Sequence, residues 1–353
     1  MKRRLRHLRH RLADAARLRA ARRLLRAAAP PAARLDLALV IPVWNDAAGL
    51  ARLLAQARDL GQFAQIVVVD DGSDEPVAPA PDLTLLRHDR PLGGGVARNA
   101  GLAAVTAAHV LFFDADDLLT AELPDLLADL AEDRTAAGEA AGAGEFDFCL
   151  FKHADSRVAA EPRWGQPDWD ERFWQAAGLG TGALRAAGPA ALPLLAQTAN
   201  YPWNKIYRTG FLRAQGIGCA ATAVHQDIPL HWLGFLAARR VLVSDRICAW
   251  HRVESAGARL TNRMGPERLE VFTALAPVAR AVAAAADPAW RAALADFGLG
   301  LIDWIGARID PGLRPALAMA ERDWLAATGL AWLAEIAGHD PALAARLQER
   351  GRA

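Results

Sequence analysis

The chain has 353 residues, of which 53% are hydrophobic, and its 41 Lys or Arg and 40 Asp or Glu leave a formal net charge of +1. This content can fill the core of one large α/β domain or two ordinary ones. The three cysteines are far apart and form no C-x-x-C pair, which indicates neither a disulfide framework nor a zinc cluster and fits a reducing cytosol. No apolar stretch reaches the roughly 18 to 20 residues that span a bilayer.

The charge is distributed unevenly between the N-terminus and the rest of the chain. Residues 1–34 hold twelve Lys or Arg and one acid, Asp14, a net of +11, so the remaining 319 residues sum to −10. Helix propensity predicts a basic helical arm over residues 1–35. Two interpretations stay open: the arm contacts anionic lipid at the inner face of the membrane, or it is solvated or contacts another subunit. Either way we expect a cytoplasmic protein.

After the breaker AAAPPAAR, apolar runs alternate with helical patterns. LDLALVIPVW, QIVVVDDGS and HVLFFDADD predict strands, TLLRH is a further candidate, and AAGLARLLAQAR and GGGVARNAGLAAVTAA predict helices between them. This alternation predicts βαβ units and a Rossmann-like, mostly parallel sheet flanked by helices. Ligands of such sheets bind beyond the carboxyl ends of the strands, where three of these strands end in Asn or Asp.

The rest of the chain has weaker patterns. FDFCLFK and RVLVSD predict short strands among tryptophan-bearing loops, and AAGEAAGAG within residues 133–144 predicts a flexible insertion. About the last 90 residues predict Ala- and Leu-rich amphipathic helices without a chemical cluster.

The motif FFDADD places acids at the end of a strand. Alternate side chains of an extended segment share a face, so Asp114 and Asp116 can point to one side while Asp117 begins the turn. Two hard oxygen ligands suit Mg²⁺ or Mn²⁺ completed by phosphate oxygens and water. The alternative is helix capping, because Asp favours the first turn of the helix predicted to start near Thr120.

Two further motifs favour nucleotide binding. In VVVDDGS, Asp71 can accept a hydrogen bond from a base N–H or a ribose hydroxyl, and an ordinary Asx turn is the alternative. In PLGGGVARNAG, Gly93–Gly95 allow close backbone approach, and Arg98 and Asn99 follow on the helix. This loop matches neither the dinucleotide fingerprint nor the P-loop.

Together, VIPVWN, VVVDDGS, GGGVARNAG and FFDADD occur in an order and at a spacing that resembles the N-terminal half of family 2 glycosyltransferases, which have the A-type nucleotide-sugar fold. NKIYRTGFLRAQGI followed by HQDIPLHW is similar to the family's later acidic motif. The resemblance covers about residues 37–255. It implies a catalytic domain at 36–255 between the arm at 1–35 and a helical C-terminal region at 256–353.

The resemblance also implies nucleotide-site residues. The segment from Pro42 to Asn45 and the carboxylate of Asp71 would hold the nucleotide base, usually uracil, and Arg98 and Asn99 are assigned to nucleotide binding.

The same resemblance implies the metal and catalytic residues. Asp114 and Asp116 would hold Mn²⁺ or Mg²⁺ on the diphosphate, with Asp117 a substitute, and Asp227 would be the general base. The usual Glu before this base is Gln226 here, which removes one carboxylate. His251 falls where some A-type enzymes place a His near the metal or diphosphate, with a structural His as the alternative.

These assignments imply an inverting, metal-dependent hexosyltransferase. It would move a sugar from a nucleotide donor, expected to be a UDP-sugar, to a hydroxyl of a glycan or lipid-linked acceptor in cell-surface polysaccharide assembly, without a nucleic-acid partner. A catalytically degenerate nucleotide-sugar-binding or scaffold protein at the membrane surface is the alternative, although the retained aspartates argue against it. A sugar-1-phosphate nucleotidyltransferase would open with a cation-bearing Gly-rich loop, where this chain has PVWNDAAG.

The stretch YPWNKIY, residues 201–207, holds both tyrosines and one of three lysines in a chain with 38 arginines. An ammonium can donate to a phosphate or sugar oxygen where a planar guanidinium would not fit, and aromatic rings can stack on a sugar. We therefore predict that Trp203, Asn204 and Lys205 contact the substrate. The alternative is that the aromatic rings are core and Lys205 is solvated.

Overall fold

A computed structural model of the chain describes residues 34–136, 144–158, 167–253 and 263–352. The predicted basic arm lies outside the described residues except for Arg34 and Leu35, and so does most of the predicted flexible insertion. The strands are β1 (Leu37–Val43), β2 (Gln65–Asp70), β3 (Thr84–Arg87), β4 (His109–Phe112), β5 (Leu118–Leu119), β6 (Phe148–Asp155), β7 (Arg185–Ala187), β8 (Lys205–Arg208) and β9 (Val241–His251).

The part of the chain that the structure describes also forms twelve α-helices. They are α1 (Ala47–Leu60), α2 (Gly94–Ala104), α3 (Leu123–Ala136), α4 (Asp168–Ala176), α5 (Leu192–Leu195), α6 (Thr209–Gln215), α7 (Ile228–Ala237), α8 (Val271–Ala283), α9 (Ala289–Gly306), α10 (Arg314–Ala327), α11 (Leu333–His339) and α12 (Pro341–Arg352). Short 3-10 turns lie at Pro189–Ala191, Pro202–Asn204, Pro266–Glu270 and Pro311–Leu313. The α/β architecture with a helical C-terminal region is therefore confirmed.

All strands belong to one sheet with the order β3-β2-β1-β4-β8-β6-β9-β5, and β7 pairs with β9. The N-terminal half is parallel, as predicted: β1 pairs in parallel with β2 and β4, and β2 with β3. The other half is mixed, because β8 runs antiparallel to both β4 and β6. Since β8 begins opposite the end of β4, the turn before it lies at the same edge as the strand ends of the parallel half.

The two faces of the sheet are buried under different helices. Along β1, Leu37, Leu39 and Ile41 pack with residues of α1 and α3, while Ala38 and Val40 pack in a second cluster with α2, α7 and the C-terminal helices. Full burial of one such side chain contributes about 1.5–3 kcal/mol, so both layers stabilise the central strands.

Helix α2 lies unusually close to β1 because it carries a glycine at the contact. A Cβ atom at Gly101 would lie 2.4 Å from Val40 Cγ1, closer than packed carbon atoms approach. The helix α1 is delimited by its caps: Asp46 accepts from the Gly49 N–H at 2.9 Å, and Gly61 ends the helix in the left-handed conformation. Among the described residues, no helix is both long and apolar enough to cross a membrane.

Candidate active site

A cleft of about 1290 Å³ opens beyond the carboxyl ends of β1, β2 and β4. The motifs singled out in the sequence meet there, because the ends of neighbouring parallel strands share one edge of the sheet. The C-terminal region closes the far side. Lining residues include Pro42, Trp44, Asn45, Asp71, Gly93, Arg98, Asp114, Asp116, Asp117, Gln226, His251, Arg263, Glu270 and Thr273.

Three carboxylates cluster on the turn between β4 and β5. Asp114, Asp116 and Asp117 each offer an oxygen within 4.8 Å of the others. Asp114 is 29% exposed at its side chain, whereas Asp117 is buried and its Oδ1 accepts the Arg252 N–H at 2.8 Å. A set of hard oxygen donors at a cleft, with solvent access for further ligands, fits Mg²⁺ or Mn²⁺. The structure thus places Asp117, named from the sequence only as a substitute ligand, in one cluster with Asp114 and Asp116.

Arg98 joins this turn to the predicted general base. Its guanidinium, 5% exposed, donates to Asp114 Oδ1 at 2.5 Å and to Asp227 Oδ1 at 2.9 Å. Burial disfavours the charge, but Asp114 and Asp227 outweigh it and raise the pKa of Arg98 above its ordinary value. One permanently charged group in the cleft lining therefore holds both Asp114, which lines the cleft, and Asp227, which lies next to it.

Asp227 follows Gln226 in the sequence and lies directly before the first residue of α7, and its side chain is 19% exposed. Burial raises the pKa of Asp227, while Arg98 acts in the opposite direction. Arg98 and Cys219 both donate to Asp227 Oδ1, and among the described residues no hydrogen bond is made to Asp227 Oδ2. Gln226 Oε1 accepts the Gly95 N–H at 2.9 Å and fixes the start of α2.

Asp71 organises the loop that follows β3. Its Oδ1 accepts the Leu92 N–H at 3.0 Å and lies 2.6 Å from His88 Nδ1, and its Oδ2 accepts the Gly93 N–H at 2.7 Å. A carboxylate has about four acceptor positions, so capacity remains for a ligand donor.

The predicted base-binding segment is tied to the DDGS turn. Asn45, in the left-handed region at φ 53°, donates from Nδ2 to Asp74 at 3.0 Å and accepts the Asp74 N–H at 2.9 Å. The Asn45 N–H donates to Ser73 Oγ at 3.0 Å. Two strand-end loops from β1 and β2 thus form one cross-linked wall of the cleft.

Five of the predicted site residues are not among the residues that line the cleft: Asp227, which is bonded to the lining residue Arg98, and Asn99, Trp203, Asn204 and Lys205. Asn99 uses both ends of its amide on the backbone of Cys219, at 2.9 Å each. Trp203, Asn204 and Lys205 are buried, and Lys205 Nζ donates to Tyr201 O at 2.8 Å and to Asn204 Oδ1 at 2.6 Å. This placement differs from the predicted substrate contact, because Lys205 begins a strand in the middle of the sheet.

The state of Lys205 also differs from the solvated alternative. Burial lowers the pKa of Lys205 to about 7, although the carboxylates of Asp170 and Asp227 act in the opposite direction. An ammonium in this position exchanges water for two neutral acceptors, so the charged form is disfavoured.

The structure also brings to the cleft residues that sequence reasoning missed or did not single out. Trp44 lies within the predicted segment from Pro42 to Asn45 but was not named by itself, and it is 44% exposed at the rim. Arg263, Glu270 and Thr273 come from the C-terminal region, where the sequence offered no comparable signal.

The comparisons with known proteins fit this geometry. The family model described as glycosyl transferase family 2 matches residues 38–173, which include most of β1, all of β2 and β4, and the acidic turn. This part of the chain is therefore similar to family 2 glycosyl transferases.

Curated relatives match over short stretches. A pre-mycofactocin glycosyltransferase of Mycobacterium tuberculosis is 42% identical over 87 residues, 23% of this chain and 18% of the relative. The succinoglycan biosynthesis protein ExoO of Rhizobium meliloti is 31% identical over 133 residues, 36% of this chain and 37% of the relative. The matched part is therefore well under half the length of these relatives.

Solved structures match over most of the chain. S. aureus TarS 1-349 in complex with UDP-GlcNAc has a TM-score of 0.68 at 18% identity, covering 90% of this chain and 88% of the other. The mannosyltransferase PcManGT from Pyrobaculum calidifontis, in complex with GDP-Man and Mn²⁺, has a TM-score of 0.50 at 17% identity, covering 95% and 93%. At these identities the likeness shows the fold alone, an A-type glycosyltransferase fold.

Proposed function

We propose that this protein is an inverting glycosyltransferase that moves a sugar from a UDP-sugar to an acceptor hydroxyl. The observation that carries the proposal is the Arg98 bridge, which joins Asp114 in the cleft lining to Asp227 next to it. The family match and the UDP-GlcNAc complex of the structural neighbour support it. The ExoO relative favours an acceptor in glycan assembly, either a growing glycan or a lipid-linked sugar.

Asp227 is the general base of this proposal. The acceptor oxygen forms a bond to the anomeric carbon while the bond from that carbon to the diphosphate oxygen breaks, and its electron pair leaves with the nucleoside diphosphate. Asp227 Oδ2 takes the acceptor proton, since Oδ1 is engaged by Arg98. Attack opposite the leaving group inverts the anomeric configuration, and no covalent enzyme intermediate forms.

Asp114, Asp116 and Asp117, with His251 beside them, would hold Mn²⁺ or Mg²⁺. Such an ion, when bound, neutralises charge on the leaving diphosphate. Arg98 is placed to add to this neutralisation, because its guanidinium already lies at Asp114. The N–H groups of Gly93 and Gly95 are engaged by Asp71 and Gln226, so at the N-terminus of α2 the backbone N–H of the cleft-lining Gly94 would serve the same anionic oxygens.

Asp71 and the segment from Pro42 to Asn45 would hold the nucleotide base. Asp71 keeps acceptor capacity for a base N–H, and the exposed ring of Trp44 offers a stacking surface at the same wall. The cross-link between Asn45 and Asp74 would keep this wall rigid when the nucleotide leaves.

The test is Asp227→Asn in a screen of UDP-sugars for transfer or slow hydrolysis. The variant should lose about 10²- to 10⁴-fold in kcat, because the proton has no acceptor, while UDP affinity changes little. Asp114→Asn is the matched control, since it should weaken Mn²⁺ and UDP binding instead. Transfer at the parental rate by Asp227→Asn would refute the base assignment, and absence of activity with every nucleotide sugar would favour the degenerate alternative.

A further inference from the structure

A buried carboxylate adjoins His251 and has no role in the mechanism above. His251 ends β9, and its side chain, 16% exposed, lines the cleft. Asp155 ends the neighbouring strand β6, and the register of the sheet pairs the two residues directly. His251 Nδ1 lies 3.1 Å from Asp155 Oδ2, and the Asp155 side chain is completely buried. The fold thus places a carboxylate at one edge of a ring that borders the cleft.

Arg157 holds the Asp155 carboxylate in place. Its Nε donates to Oδ1 at 2.9 Å, its terminal nitrogen to Oδ2 at 2.6 Å, and its backbone N–H to Oδ1 at 2.8 Å. Burial disfavours the charge, but the hydrogen bonds from Arg157 and His251 hold the pKa of Asp155 well below its ordinary value. Because both oxygens are fixed, the acceptor offered to His251 has one direction.

Two aromatic rings support the imidazole from the side. Tyr201 and Trp203 stack with ring centroids 4.5 Å apart, and they lie 4.9 and 5.4 Å from the ring of His251. Lys205 holds the carbonyl of Tyr201 at 2.8 Å, and Arg157 reaches the Tyr201 hydroxyl at 3.4 Å. The aromatic rings and the lysine of residues 201–207 therefore pack behind His251 and hold this cleft residue in place.

His251 is also adjacent to the three-aspartate turn. Leu118 pairs with Trp250, and the Arg252 N–H donates to Asp117 Oδ1 at 2.8 Å. The residues on both sides of His251 are thus bonded to the segment that carries the aspartates. A carboxylate only accepts hydrogen bonds, so a neutral His251 carries its hydrogen on Nδ1 and leaves a lone pair on Nε2.

We propose that Asp155 is a positioning residue that fixes His251 in the tautomer offering Nε2 to a divalent cation at the three-aspartate turn. The inference rests on the proposed function, because it assumes a cation there. Carboxylates commonly orient histidine ligands in this way, and loss of the carboxylate typically weakens metal binding about 10- to 100-fold.

The first experiment reads the tautomer and needs no metal. In protein labelled with ¹⁵N-histidine, the His251 signal is identified by its loss in His251→Gln, and the neutral ring should carry hydrogen on Nδ1. In Asp155→Asn the new amide can donate to Nδ1, so the hydrogen should move to Nε2. A wild-type ring protonated on Nε2 overturns the inference whatever the activity of the protein.

The second experiment measures Mn²⁺ binding by the electron paramagnetic resonance of the free ion. Asp155→Asn and His251→Gln should each weaken binding about 10- to 100-fold, and the double variant should be no weaker than His251→Gln. Unchanged affinity in Asp155→Asn, or losses that multiply in the double variant, overturn the inference alone. A wild-type protein that binds no Mn²⁺ refutes the cation site of the proposed function too.

A matched control separates positioning from loss of stability. Asp129 on α3 is also a buried carboxylate bound by two nitrogens of one arginine, Arg246, at 2.9 and 2.7 Å. Asp129→Asn should lower the melting temperature as Asp155→Asn does, yet leave Mn²⁺ affinity and the His251 tautomer unchanged. An equal loss of Mn²⁺ affinity in Asp129→Asn would mean general destabilisation and would overturn the inference.

Discussion

Replacing Lys205 by Met should change how the stability of the protein depends on pH. Lys205 is completely buried, and burial lowers its pKa from 10.5 to about 7. Between these two values the unfolded chain binds a proton that the folded chain releases. The unfolded state then holds more protons, so the stability of the wild type rises with pH across this window and is lost as pH falls toward 7.

The size of the effect follows from the shift. Each pH unit inside the window changes the free energy of unfolding by about 1.4 kcal/mol, so two units between about pH 7 and pH 9 contribute roughly 3 kcal/mol. Asp170 changes the comparison in the same direction. Burial raises the pKa of Asp170 to about 7 and Lys205 acts in the opposite direction, so removing Lys205 raises the pKa of Asp170 further and lowers the stability of Lys205→Met as pH rises.

The assay is urea unfolding of the wild type and Lys205→Met at matched pH values from about 7 to 9. The unfolding free energy of the wild type minus that of Lys205→Met should increase by about 3 kcal/mol as pH rises. Parallel pH profiles would show that the ammonium is not desolvated and would refute the reasoning. Lys205→Arg is the charged control: a guanidinium cannot release its proton, so we expect a loss of about 3 kcal/mol or more at every pH.

Three further predictions concern the cleft. Gln226→Glu keeps an acceptor for the Gly95 N–H but adds a negative charge next to Asp227. The KM for the donor should therefore rise about 10-fold. Gln226→Met, which adds no charge, should show a smaller rise in KM. Asp71→Asn removes an acceptor from a carboxylate that binds the Gly93 N–H, so the free energy of unfolding should fall by about 1–3 kcal/mol, measured by urea titration. Because burial raises the pKa of Asp227, kcat/KM should begin to fall with decreasing pH at values above the ordinary pKa range of aspartate. A pH profile of kcat/KM that stays flat at those values would contradict this prediction.

The parallel half of the sheet was predictable because its strands are buried on both faces. Such strands are continuous apolar runs, and in β1, β2 and β4 these runs end in polar turns that mark the cleft edge. The prediction of Asp114 and Asp116 followed from alternation at one strand end. Local pattern was sufficient here, because every relevant contact lies at the end of an element that the pattern itself defines.

The other half depended on contacts between distant residues. The four-residue strand β8 starts with a lysine, so neither length nor pattern identified it, and only its neighbours β4 and β6 bury it. The pairing of Asp155 with His251 joins residues 96 positions apart, and the Arg98 bridge to Asp227 spans 129. No local periodicity encodes such pairings, so the roles of Lys205 and Asp155 could not be derived from the sequence.

The close approach of α2 to β1 has a consequence for the chemistry at the cleft. Gly101 does not line the cleft, but it lies about one turn after Arg98 and lets the helix pack closely on Val40. A methyl group on residue 101 would clash with Val40 and displace α2 from the sheet. The Arg98 guanidinium would then move away from Asp114. The position of the Arg98 guanidinium at the cleft thus depends on Gly101, a residue of the apolar interior that leaves room for the strand because it has no side chain.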